Sequence, residues 1–171
     1  KNLERDKTFR AACLFPLFNL EYIDFIFLFQ NYWEWKRKIK IIIHLEIRAE
    51  NGELIYTADF QPKESNYISV RDVLVQDKIN IESANNGTTE LSIRSKENII
   101  FPFPAIVGIY KKNNNKISSV HSAGRTLNFE NIKKISFCET NFFINLDHKF
   151  DPFIHIFNGS TGKVNNIKLE L

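Results

Sequence analysis

Methionine is absent from these 171 residues, cysteine occurs twice and glycine only six times. Each scarcity excludes something. A chain without an initiator Met is expected to be a trimmed, processed or partial form of a longer protein. Two cysteines, Cys13 and Cys138, each in an apolar neighbourhood, are fewer than a disulfide-stapled secreted scaffold carries. Both are therefore read as buried thiols and nothing demands an oxidising compartment, which leaves the location open with the cytoplasm favoured over others. The glycines form neither a dinucleotide-binding fingerprint nor a Gly-x-Ser-x-Gly elbow, which removes Rossmann and α/β-hydrolase chemistry. Gly159-Ser160-Thr161-Gly162-Lys163 comes nearest to a phosphate loop. There Phe157 stands where the leading Gly belongs and Val164 where a Mg²⁺-binding hydroxyl belongs, so the segment reads as a hairpin turn.

The chain also lacks a strong charge of one sign. Its formal net charge is +3, with acids and bases interspersed, so no broad field steers a polyanion and nucleic acid is not an expected partner. No unbroken apolar run crosses a membrane. Residues 11–29 are interrupted by Pro16, Asn19, Glu21 and Asp24, and a carboxylate at mid-bilayer costs about 2.5 to 3.5 kcal/mol. Glu4 and Asp6 occupy the place of a positive signal-peptide n-region, so neither a signal peptide nor a membrane partner is expected. His44, His121, His148 and His155 sit in four separate segments without ligand spacing, which predicts no metal site and no cofactor.

What the chain has is alternation. Ile39, Ile41, Ile43, Leu45 and Ile47 alternate with mostly polar residues up to Glu50-Asn51-Gly52-Glu53, and the pattern resumes as Leu54, Tyr56, Ala58 and Phe60. A period of two with an Asn-Gly break predicts a long β-hairpin closed by a type I′ turn, with Ile41, Ile43 and Leu45 in the core and Lys40, His44 and Glu46 on the other side. Further strands are predicted over 22–30, 67–75 (ending in a short turn of helix at 70–75), 89–95, 105–110 and 116–122. Three more follow around 135–138, 142–146 and 153–157, and a last one over 164–171. Asn85-Asn86-Gly87 and Asn113-Asn114-Asn115 are turn signals,. The expected fold is all-β: one antiparallel β-sandwich over 1–171, jelly-roll or immunoglobulin-like, with at most one short N-terminal helix. Residues 1–20 form a helical or extended lead-in, the helix falling over 3–12.

Two groups of residues carry candidate chemistry. Asn31-Tyr32-Trp33-Glu34-Trp35-Lys36-Arg37-Lys38 holds both tryptophans in an aromatic and basic connection. Flat aromatic faces stack on sugar rings or on bases, while neighbouring polar groups bond to hydroxyls or phosphates, which suits glycan or protein recognition or single-stranded nucleic acid. Trp33 and Trp35 share strand parity, so they also fit a plug at the end of the core. In the last third, His121, Arg125, Glu139, Asn141, Asp147, His148 and Asp151 cluster at predicted strand ends. A carboxylate pair there is suited to general acid and base work if the ends converge. Asx-turns and ordinary ion pairs account for the same residues.

The expected function is that of a non-catalytic binding module for a carbohydrate or another protein chain, with Tyr32, Trp33, Trp35, Arg125 and Asn141 as ligand-binding residues. The alternatives are a glycan-active or other hydrolytic enzyme using Glu139, Asp147, Asp151, His121 and His148, and a structural homo-oligomerisation domain.

Overall fold

The structure is a computed structural model that describes residues 10–62, 65–95 and 106–121, all within the compact unit Lys1–Asn128. The protein is mostly β. Among the described residues eight strands run in chain order: β1 Arg10–Pro16, β2 Ile23–Gln30, β3 Ile41–Arg48, β4 Leu54–Phe60, β5 Ser65–Ser69, β6 Thr88–Ser95, β7 Ile106–Lys112 and β8 Ile117–His121. They form two four-stranded sheets, in the orders β1-β6-β3-β4 and β5-β2-β7-β8, and every pairing is antiparallel. Helix α1 (Tyr32–Arg37) joins β2 to β3. Helix α2 (Val70–Gln76) and a 3-10 turn (Ile81–Ala84) lie between β5 and β6. None of the helices among the described residues is long and apolar enough to cross a membrane.

Both sheets contribute to one core. Ala11, Cys13 and Phe15 of β1, Ile41, Ile43, Leu45 and Ile47 of β3, and Leu91 and Ile93 of β6 come from the first sheet. Phe25, Phe27 and Phe29 of β2 and Ile106 of β7 come from the second. The Phe15 ring meets Phe25 at 5.0 Å and Phe27 at 5.8 Å between centroids, spacings at which tilted and edge-on rings attract. The Tyr110 hydroxyl of β7 adds a hydrogen bond to the Pro16 carbonyl of β1 (2.8 Å).

The predicted hairpin is present, and its register follows the isoleucines: Ile43 faces Phe60, Leu45 faces Ala58 and Ile47 faces Tyr56. Its turn differs from expectation. Only Gly52 has a positive φ (+85°); the Gly52 N–H bonds to the Ala49 carbonyl and the Ala49 N–H to the Glu53 carbonyl, both at 2.9 Å. This is a type I turn through Glu50 and Asn51 followed by a left-handed Gly. The one-residue shift it requires appears as an irregularity between Ile47 and Arg48,.

Two expectations are corrected. The N-terminal helix over 3–12 is not formed at its described end, because Arg10–Pro16 is a strand paired along its length with β6. The alternation of Ala11, Cys13 and Phe15 into the core overrides helix propensity there. The allowance of at most one short helix also fails, since two short helices, α1 and α2, lie between strands among the described residues. The predicted turn of helix at 70–75 is α2, begun by the buried Ser69, whose side-chain oxygen accepts the Asp72 N–H (3.0 Å),.

Gly87 follows the Asn85-Asn86 turn in a space that admits no side chain. A Cβ there would fall on the Arg48 carbonyl oxygen and 3.0 Å from the Ala84 oxygen, while the Gly87 carbonyl accepts the Leu17 N–H (2.9 Å). Gly87→Ala is expected to cost about 1 to 3 kcal/mol through backbone displacement. Urea unfolding with a change below about half a kcal/mol, the range of neutral surface substitutions, would show that the three segments do not approach this closely.

Candidate functional site

Helix α1 is defined by both its ends. Asn31 caps it: its side-chain oxygen accepts the Glu34 N–H (3.4 Å), and its amide donates to the Glu34 carboxylate (2.6 Å), a reciprocal lock over the first turn. Lys38 ends it in the left-handed conformation (φ +58°). There the Lys38 N–H bonds to the Glu34 carbonyl (3.0 Å) and the Ile39 N–H to the Trp33 carbonyl (3.2 Å). Helical rotation sets residues two apart roughly 200° around the axis, so the two tryptophans part company. Trp33 is buried at 6% exposure and packs in the core, while Trp35 is 70% exposed, the highest value among the described large apolar residues. The shared strand parity expected for this pair is therefore corrected: one plugs the core and the other faces solvent. Tyr32 is half-buried, with its ring edge-on to Trp33 at 5.3 Å and the Lys36 ammonium 5.8 Å from its centroid,.

The other expected site residues fall elsewhere. His121 closes β8 opposite Val107, and its side chain lies outside the described residues. Arg125, Glu139, Asn141, Asp147, His148 and Asp151 are likewise outside the described residues.

Two polar constellations in the structure were not singled out from the sequence. On the outer face of the hairpin, His44 Nδ1 lies 2.6 Å from Asp59 Oδ1 and Nε2 3.2 Å from Glu46 Oε1, with Thr57 Oγ1 at 3.4 Å. The Arg48 guanidinium donates to the other Glu46 oxygen (2.8 Å). Burial works to raise the Glu46 carboxyl, but the hydrogen bonds from Arg48 and His44 outweigh it and hold the group below the usual carboxylate range,. A carboxylate-bound imidazole beside a hydroxyl resembles a nucleophile-activating arrangement, yet Nε2 is already faced by Glu46, and both side chains are largely covered. Among the described residues no group of three or more His, Cys, Asp and Glu side chains could hold a metal ion. The signal for this network was the register itself, which sets His44 opposite Asp59 and Glu46 opposite Thr57.

The second constellation ties β2 to α2. Ser69 donates to Asp24 Oδ2 (2.8 Å) and the Arg71 N–H donates to Asp24 Oδ1 (3.3 Å), while the Arg71 guanidinium reaches Asn113 in the β7–β8 turn (3.3 Å). Burial dominates and raises the Asp24 carboxyl despite these donors and the positive charge of Arg71,. A raised folded-state value means that folding favours the protonated acid, so this stabilisation is complete at low pH and is lost as pH rises through the carboxylate range. Asp24→Asn, which has no proton to lose, should therefore gain stability relative to the native chain as pH is raised. Denaturation curves of the two proteins that stay parallel with pH would contradict the burial of this carboxyl.

No protein-family model, curated protein or solved structure matches this chain. The site must be judged on geometry alone, and by that measure α1 stands apart. The His44 and Asp24 clusters spend their polar atoms on neighbouring strands, on α2 and on the β7–β8 turn, whereas Trp35 holds a large aromatic surface in solvent on a helix capped at both ends.

Proposed function

We propose that this protein is a non-catalytic β-sandwich binding module whose contact surface is centred on Trp35, with a carbohydrate or another protein chain as ligand. The supporting observation is the exposure of Trp35 on a helix fixed by Asn31, by left-handed Lys38 and by the buried Trp33. A rigid, exposed indole is the side chain that most often anchors recognition, because it buries much area and loses few rotamers in doing so. Glycan-array screening followed by tryptophan quenching tests the reading, since the solvent-facing Trp35 is the ring a bound ligand shields. Trp35→Ala should weaken binding by about tenfold or more, as a hot-spot truncation does, and leave stability within about half a kcal/mol. Unchanged affinity of that variant for whatever partner is found would remove the proposal.

A second reading, homo-oligomerisation, is favoured by a different surface. On the outward face of the second sheet Tyr67, Leu28 and Val107 stand in one cross-strand row, with Tyr67 and Leu28 exposed, and exposed Ile117 lies on β8, opposite Lys111. Exposed apolar side chains in a row of this kind are what subunit interfaces cover. Sedimentation of the chain at micromolar concentration as a monomer only would count against it.

A further inference from the structure

We infer that the ligand of the Trp35 surface is an anionic sugar, a saccharide bearing carboxylate or sulfate groups. The inference rests on the binding-module reading and adds the charge of the ligand to it. Residues 31–40 hold Lys36, Arg37, Lys38 and Lys40 against the single acid Glu34, a net +3. The whole chain, with 23 basic and 20 acidic residues, is also +3. The other 161 residues therefore carry nineteen of each sign, so this ten-residue segment holds a local excess equal to the net charge of the whole chain. All four cations are exposed. Among the described residues none of them has an ion-pair partner, and Glu34 is held by the Asn31 amide instead. The Lys38 ammonium bonds to the Trp35 carbonyl (3.2 Å) and the Lys36 ammonium leans over Tyr32, so at least two of the charges are held close to the tryptophan's own turn of helix.

An anionic sugar matches this pairing. A pyranose ring offers one flat C–H face to one indole, and its ring substituents reach cations a few ångströms away. Six residues of helix span only about 9 Å, the footprint of one or two sugar units. Single-stranded nucleic acid uses several aromatic platforms in succession along a charged groove, whereas α1 exposes one ring and keeps Tyr32 edge-on to Trp33. An acidic peptide supplies the charge without a rigid apolar face.

Calorimetric titration of the full chain with an oligogalacturonate, a sulfated glycosaminoglycan oligosaccharide, a neutral glucan oligosaccharide, poly-glutamate and oligo-dT tests the inference. Binding of the uronate or the sulfated sugar is expected, at least tenfold tighter than the neutral glucan and weakening with salt. The arm that binds tells carboxylate from sulfate. Trp35→Ala and the double variant Lys36→Glu, Lys40→Glu should each lower that affinity tenfold or more, with unchanged far-UV circular dichroism. A neutral glucan bound as tightly, through Trp35, would overturn the anionic inference and leave the binding module standing. Tighter binding of poly-glutamate or oligo-dT would overturn it in favour of those partners. Equal binding of every polyanion with no effect of Trp35→Ala would reduce the patch to ion exchange, and binding of none of the five ligands would overturn the inference. In that case the module itself stands or falls by the wider glycan array.

Discussion

Phe27→Ala is expected to destabilise the protein by about 3 to 5 kcal/mol, the cost of deleting a fully enclosed aromatic ring and leaving a cavity. Phe27 is 0% exposed in the centre of the second sheet. Its ring packs edge-on against Phe25 at 4.9 Å and against Phe15, across in the first sheet, at 5.8 Å. The loss therefore removes contacts on both sides of the core, and the surrounding rings belong to strands whose ladders resist collapse into the void. Leu28, the next residue, points outward and is 39% exposed. Leu28→Ala should cost about 1 kcal/mol or less, near the range of surface substitutions. Urea unfolding of the two variants measures the contrast, and equal losses would mean that the second sheet does not present its odd-numbered β2 residues to a shared core.

Ile43→Ala should cost about 2 to 5 kcal/mol, on the same reasoning applied to the first sheet. Ile43 is fully buried at the middle of β3, flanked by Ile93 of β6 and Phe60 of β4. His44→Ala, one residue on, removes the links to Asp59 and Glu46. Asp59 is largely exposed, and pairs of this sort contribute between zero and about 1 kcal/mol. Similar midpoints for the two variants in denaturant unfolding would refute the face assignment of the hairpin, because a one-residue slip exchanges every inward for every outward side chain.

Legibility in the sequence followed the range of the interactions. The β3–β4 hairpin, the turns at Asn85-Asn86-Gly87 and Asn113-Asn114-Asn115, and the start of α2 at Ser69 are decided within a few residues, by alternation, left-handed tolerance and a capping hydroxyl. β1 was hidden because its partner is β6, some eighty residues on. The short apolar run Ala11 to Phe15 suits a helix or a strand equally until that pairing exists. α1 was hidden for the opposite reason. Aromatic residues at positions 32, 33 and 35 look extended by propensity, while the local signals for helix, Asn31 three residues ahead of Glu34 and the basic last turn, were present but outweighed,.

The sequence alone determined the class of the protein and the inward face of its central hairpin, because a period of two and a positive-φ glycine act locally and leave no alternative register that buries the isoleucines. It also contained the charge excess of residues 31–40. Only the tertiary structure decided that the two tryptophans have different fates, that Asp24 is desolvated against Ser69 and Arg71, and that His44 is bound from both sides. Among the described strands five of the seven connections pass from one sheet to the other, so the core that buries Trp33 is assembled from distant parts of the chain. Burial, and with it the energetic worth of a side chain, is set by those distant neighbours rather than by adjacent residues.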